Sequence, residues 1–89
     1  MDIVVEQEVK ISDAALGNTI EVPTLEGPKR IKIPPGTQSN SRIRLKGYGL
    51  PRLQGGGKGD QYVRVVIKYP KNLNERQKKL LEQLKGEGL

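Results

Sequence analysis

The chain has 89 residues, the length of one small domain, with a net charge of +6 and 34% hydrophobic residues. It contains no Cys and no His, which removes disulfides, thiolate nucleophiles, thiolate zinc sites and the commonest general base. No apolar run exceeds three residues, so nothing here spans a bilayer, and no signal-peptide core follows Met1-Asp2. An intracellular, cytoplasmic domain is expected. Its core is thin and aliphatic, and it is neither an enzyme nor a carrier of a cofactor or metal.

Ile3, Val5, Gln7, Val9 and Ile11 alternate with Val4, Glu6, Glu8 and Lys10, the period of a strand with one buried face. Ser12 to Leu16 reads as one helical turn, with Ser12 as its cap and Gly17 as its left-handed exit. Ile20 and Val22 begin a second strand that Pro23 ends, and Ile31 and Ile33 mark its hairpin partner across the Glu26-Gly27-Pro28 turn. Ile43 and Leu45, alternating with Arg42 and Arg44, give a fourth strand. Gln54 to Gly59 is a glycine-rich loop.

Asp60 to Tyr69 is the longest strand. Val63, Val65 and Ile67 lie on one face, and Tyr62 and Val66 on the other, which suits a central position. Beyond Pro70, Asn74 and Gln77 form a capping box ahead of a helix that carries Leu80, Leu81 and Leu84 on one stripe. About a dozen residues make a marginal helix alone. The stripe must therefore dock on this domain's sheet or on a second chain. The fold class expected is mainly β: a small two-sheet, sandwich-like domain with a short internal helix and a C-terminal helix.

Charge is segregated along the chain. Residues 1–28 carry −5, residues 29–71 carry +10 and residues 72–89 carry +1. Acidic and basic strands pairing within one sheet would cancel much of this. Gly55-Gly56-Gly57-Lys58-Gly59-Asp60 is not a phosphate loop, because it lacks the Ser or Thr after Lys and runs into a strand. The rival function is a small basic nucleic-acid-binding domain, with Arg42, Arg44, Lys46, Arg52 and Lys58 on one side and Tyr48 as a stacking platform. Aromatics at 3% of the chain speak against it.

Several segments, in order, resemble one family. They are Ala14-Ala15-Leu16-Gly17, Ile20 to Gly27, Ile33-Pro34-Pro35-Gly36-Thr37, Arg44-Leu45-Lys46-Gly47-Tyr48-Gly49-Leu50, Gly59-Asp60 and Leu73-Asn74-Glu75-Arg76-Gln77. Together they are similar to the second C-terminal domain of bacterial DnaJ-type heat-shock co-chaperones. The resemblance implies a β-rich module over residues 1–71 that binds unfolded or misfolded polypeptide clients for delivery to DnaK. It also implies that residues 72–89 form a homodimerisation helix using Leu80, Leu81 and Leu84. The family's His-Pro-Asp motif, which triggers ATP hydrolysis by DnaK, has no counterpart in a chain without His, and the cysteine-rich zinc module is missing too. The chain is therefore expected to be a fragment of a longer co-chaperone. The family's client groove, laid onto this chain from Gly17, selects Val5, Ile20 and Val22, with Gln7 and Thr24 less suited. The plainer reading makes the three aliphatic residues simply core.

Overall fold

In the computed structural model, which describes residues 1–89, five strands and two helices follow one another. They are β1 (Ile3–Lys10), α1 (Ile11–Leu16), β2 (Asn18–Val22), β3 (Lys29–Ile33), β4 (Arg42–Leu45), β5 (Gln61–Lys68) and α2 (Glu75–Gly86). β5 occupies the centre of a three-stranded sheet, parallel to β1 and antiparallel to β4. Its side chains account for that place: Val63 and Val65 are fully buried on one face, while Tyr62 and Val66 are half-buried on the other. β2 and β3 form a separate antiparallel hairpin with Ile20 opposite Ile31. Its turn is closed by reciprocal backbone bonds between Thr24 and Gly27.

The two sheets face each other across an aliphatic core. It consists of Val9, Ala14, Val22, Ile31, Ile33, Leu45, Val63 and Val65. Burial of each larger member contributes about 1.5–3 kcal/mol, so no single residue dominates. α1 supplies Ala14 and seals one end. It differs from the expectation at its start. β1 runs into it without a loop, so its N-cap is Lys10, Ile11 is already helical, and Ser12 falls within the first turn and caps nothing. Gly17 leaves with φ +84° and ψ 150°, an extended geometry open to glycine rather than the left-handed helical one.

The hairpin is tied to the three-stranded sheet on both sides of its turn. Tyr48, just past β4, accepts a hydrogen bond from the Lys29 ammonium of β3 at 3.1 Å, and the ammonium lies 4.4 Å from the ring centroid. On the other flank, α1 bridges β1 and β2 at one end. At the other, the Gln61 side-chain amide donates to the Pro23 carbonyl at 2.9 Å. No hydrogen bond joins β1 to β2 in between.

Residues 49–59 form a second hairpin, whose glycine loop carries three successive positive φ values at Gly55, Gly56 and Gly57. Its base is crossed by the chain at Met1, whose carbonyl accepts from Leu50 at 2.8 Å. Gly49 and Gly59 permit this crossing, because a Cβ on either would collide with the Met1 backbone. Gly59→Ala is expected to lower stability by about 1–3 kcal/mol through overpacking. Gly86→Ala, which faces open space, should lower it not at all. Urea titration of both variants checks this.

Candidate functional site

β1 and β2 each leave one edge unpaired, since β1 pairs only with β5 and β2 only with β3. The alternation along each strand decides what it presents. β1 turns Val5 and Gln7 inward, both half-buried, and Glu6 and Glu8 outward. β2 turns Ile20 and Val22 inward and Thr19 and Glu21 outward. Of the residues selected from the sequence, Val5 and Ile20 keep part of their surface in solvent. Val22 does not: at 1% exposure it belongs to the core and supports the opening from beneath. Gln7 bends back to donate to the Glu8 carbonyl at 3.2 Å, and Thr24 is occupied by its own turn.

One residue of this site was passed over. Gln61 is fully buried on the inward face of β5 and ties the two sheets through Pro23, while its Oε1 atom has no partner. The signal was there, since Gln61 shares the parity of Val63, Val65 and Ile67, and a polar side chain on a core face needs an explanation.

α2 carries the second candidate surface. Its capping box is formed as expected: Asn74 Oδ1 accepts from the Gln77 backbone at 2.8 Å, and Gln77 Oε1 accepts from the Asn74 backbone at 2.9 Å. The helix buries none of its residues, leaving Leu80 50% and Leu84 44% exposed, with Leu81 half-buried. It extends away from the sheets. The radius of gyration is 16.8 Å, against about 12 Å for a compact chain of this length. The leucine stripe therefore does not dock on its own sheet.

Acidic and basic strands do meet. Glu6 of β1 is ion-paired with Arg64 of β5, and Glu21 of β2 lies opposite Arg30 of β3. Asp60, with its side chain 12% exposed, gathers a further set. Its carboxylate accepts from the Gly47 backbone at 2.8 Å and from Arg44 Nε and Nη2, each at 2.7 Å. The Gly47 amide, then Arg44, hold this carboxyl below the usual carboxylate range against the opposing effect of burial. The Arg44 guanidinium is raised in turn by the same bond. Across the second hairpin, Lys58 bonds Glu26 at 2.6 Å and lowers its carboxyl as well. Arg44 and Tyr48 are thus committed within the fold, and the stacking platform of a nucleic-acid surface is absent.

A two-sheet sandwich with unpaired strand edges, ending in an unpacked amphipathic helix, is the class of domain these features define. The family description of the DnaJ C-terminal domain matches residues 1–70. Proteins called "Chaperone protein DnaJ" are 48% identical over 80 residues in Clostridium kluyveri, 52% over 81 in Exiguobacterium sibiricum and 52% over 81 in Pelagibacter ubique. These alignments cover 90%, 91% and 90% of the chain but only 21–22% of the relatives. The chain belongs to the DnaJ C-terminal domain family of chaperones and spans about a fifth of the length of the curated relatives it matches. No helix in it is long and apolar enough to cross a membrane.

The carboxyls of Asp60 and Glu26 are depressed in the folded state. Their contribution is therefore complete above the unfolded carboxylate value of about 4 and is lost as pH falls through the lower folded values. The urea midpoint is expected to hold from neutral pH to about 5 and to drop below about 4. Asp60→Asn should have a lower midpoint at neutral pH and a shallower acid decline, read by tyrosine fluorescence or circular dichroism at each pH.

Proposed function

We propose that this domain holds extended segments of non-native polypeptide in the opening between β1 and β2, and that α2 joins it to a second copy. The observation that carries the reading is the pair of unpaired edges on either side of half-buried Val5 and Ile20. An extended segment can add its backbone to either edge, while alternate side chains reach the aliphatic floor. Neither step requires a nucleotide. Residues 1–71 are then the client-binding part and residues 72–89 the dimerisation part of a longer cytoplasmic co-chaperone that passes clients to DnaK. This chain lacks His and so does not supply the His-Pro-Asp trigger of ATP hydrolysis.

Ile20 is the residue that tests the groove, because Val22→Asp would bury a charge in the core and unfold the domain. Ile20→Ser is expected to weaken binding of an unfolded aliphatic client by roughly tenfold, in a domain that keeps its circular dichroism spectrum but has a lower urea midpoint, because Ile20 also packs against the core. Unchanged affinity in a folded variant would remove Ile20 from the site. Leu80→Ser with Leu84→Ser should convert a dimer to a monomer in sedimentation equilibrium. The sheet domain's unfolding free energy from urea titration should stay within about 0.5 kcal/mol of the parent, since neither leucine is buried. A wild-type chain that sediments as a monomer at high micromolar concentration contradicts the dimer.

A further inference from the structure

We propose that the β2–β3 hairpin is a hinged flap, pivoting where its two legs meet α1 and latched at its turn by three side-chain bonds. It opens from the turn end while the three-stranded sheet stays folded. The two ends of the hairpin are fastened differently. At the α1 end the attachment is backbone. Gly17 leads directly from α1 into β2, and beyond β3 the amides of Gly36 and Thr37 donate to the Ala15 and Ala14 carbonyls at 3.1 and 3.0 Å. Gly17, at φ +84°, and Gly36, at φ +77°, put one glycine on each leg, where a change of dihedral angle swings the hairpin as a unit.

At the turn end no backbone bond reaches the three-stranded sheet. Three side-chain bonds hold it instead. Gln61 Nε2 donates to the Pro23 carbonyl at 2.9 Å, Lys58 Nζ to Glu26 at 2.6 Å, and Lys29 Nζ to the Tyr48 hydroxyl at 3.1 Å. The Lys58–Glu26 pair is 43% and 52% exposed, so solvent screens much of its attraction.

Gln61 carries the argument furthest. It is fully buried, and its amide is used on one side only: Nε2 holds Pro23, while Oε1 has no partner. The closed flap therefore keeps a strong acceptor dry, and opening gives that acceptor to water. An aliphatic side chain would seal the position without this cost, as Val63 and Val65 do further along the same face. One side chain thus fastens the flap and lowers the cost of releasing it. Val22 and Ile31 oppose the motion, because they are the flap's core residues nearest the turn and opening wets them. The open form is accordingly a minor, sub-global state that leaves β1, β4 and β5 paired. It bares Val22, Ile31 and the Gln61 amide between the sheets. Use of that surface by an extended segment rests on the client reading above, whereas the motion itself does not.

The chain contains no Cys, so a single introduced thiol reports alone. Val22→Cys places it at the latched end of the core, and Val9→Cys at the α1 end of β1. Each variant is reacted with iodoacetamide without denaturant or client, and its rate is divided by that of the same variant unfolded in urea. Val22 is 1% exposed and Val9 4%, so static access favours position 9, and global unfolding alone would label both equally. The flap predicts that Val22→Cys reacts about tenfold faster or more, with a shallower urea dependence. Lys58→Ala and Tyr48→Phe each remove one latch bond, and should speed Val22→Cys further while leaving Val9→Cys unchanged. Circular dichroism checks that each variant is folded, and Ile31→Cys replaces Val22→Cys if the latter is not. Three outcomes overturn the proposal: labelling at position 9 as fast as at position 22; one steep urea dependence at both, which marks global unfolding; or equal acceleration of both by the latch variants, which marks general destabilisation. No polypeptide is present, so failure here leaves the client reading standing, and a mobile flap beside unchanged client affinity in Ile20→Ser counts against that reading alone.

Discussion

The architecture depends on the double pairing of β5. This one strand closes a parallel ladder of eight register pairs with β1 and an antiparallel ladder of four with β4. It joins residues nearly sixty positions apart, and the side chains it turns inward, Val63 and Val65, are with Ile33 the most deeply buried of the core. Nothing performs the equivalent service for β2 and β3, which have only each other. A sheet of three strands packed on one of two cannot close into a barrel. Four strand edges stay unpaired, and in the proposed reading that incompleteness is what offers backbone groups to extended chains. A fully closed sheet would offer none.

β5 also sorts the charge. Its Arg64 neutralises Glu6 on the β1 side, yet on the β4 side the same arginine meets Arg42. Cross-strand pairing therefore cancels acid and base where β1 and β5 meet, while on β4 Arg44 is held by Asp60 and Arg42 has no acidic partner. In the second sheet, Glu21 and Arg30 lie opposite each other, both exposed.

Much of this was legible because period-two alternation is a local property. Ile20 and Val22, Ile31 and Ile33, and Ile43 and Leu45 announce their strands without reference to the rest of the fold, and the Asn74–Gln77 box announces α2 in the same way. The aliphatic residues on both faces of β5 pointed to its central position. The parallel union of β1 with β5 carries no such mark, because a pairing across most of the chain is decided by which core fills best. The choice between core and surface was also beyond alternation alone. Val5, Ile20 and Val22 have the same chemistry and parity, yet Val22 is sealed at the end of β2, beside the Gln61–Pro23 tie, while the other two keep part of their surface in solvent. Ser12 misled for a simpler reason. A good capping residue caps only when a non-helical residue precedes the first turn there, and β1 enters α1 one turn-position too early.

α2 follows a different logic from the sheets. Its twelve residues are capped at the N-terminus by Asn74 and Gln77 and carry Lys85 in the last turn, so its local signals all agree. Local signals sustain a helix of this length only marginally in water. Its remaining stabilisation has to come from covering Leu80, Leu81 and Leu84, and the sheets of its own chain do not cover them. In the proposed dimer that burial comes from the second copy, and association and helix formation become one coupled equilibrium. The sheet core does not enter that equilibrium, so client binding and pairing are separable within a protomer. They are joined only through geometry. Two openings tethered at their C-terminal ends present a long unfolded chain with a second site at high effective concentration once the first is filled. Avidity of that kind requires no contact between the openings. It therefore tolerates an individually weak groove, shallow and lined by only a few aliphatic side chains.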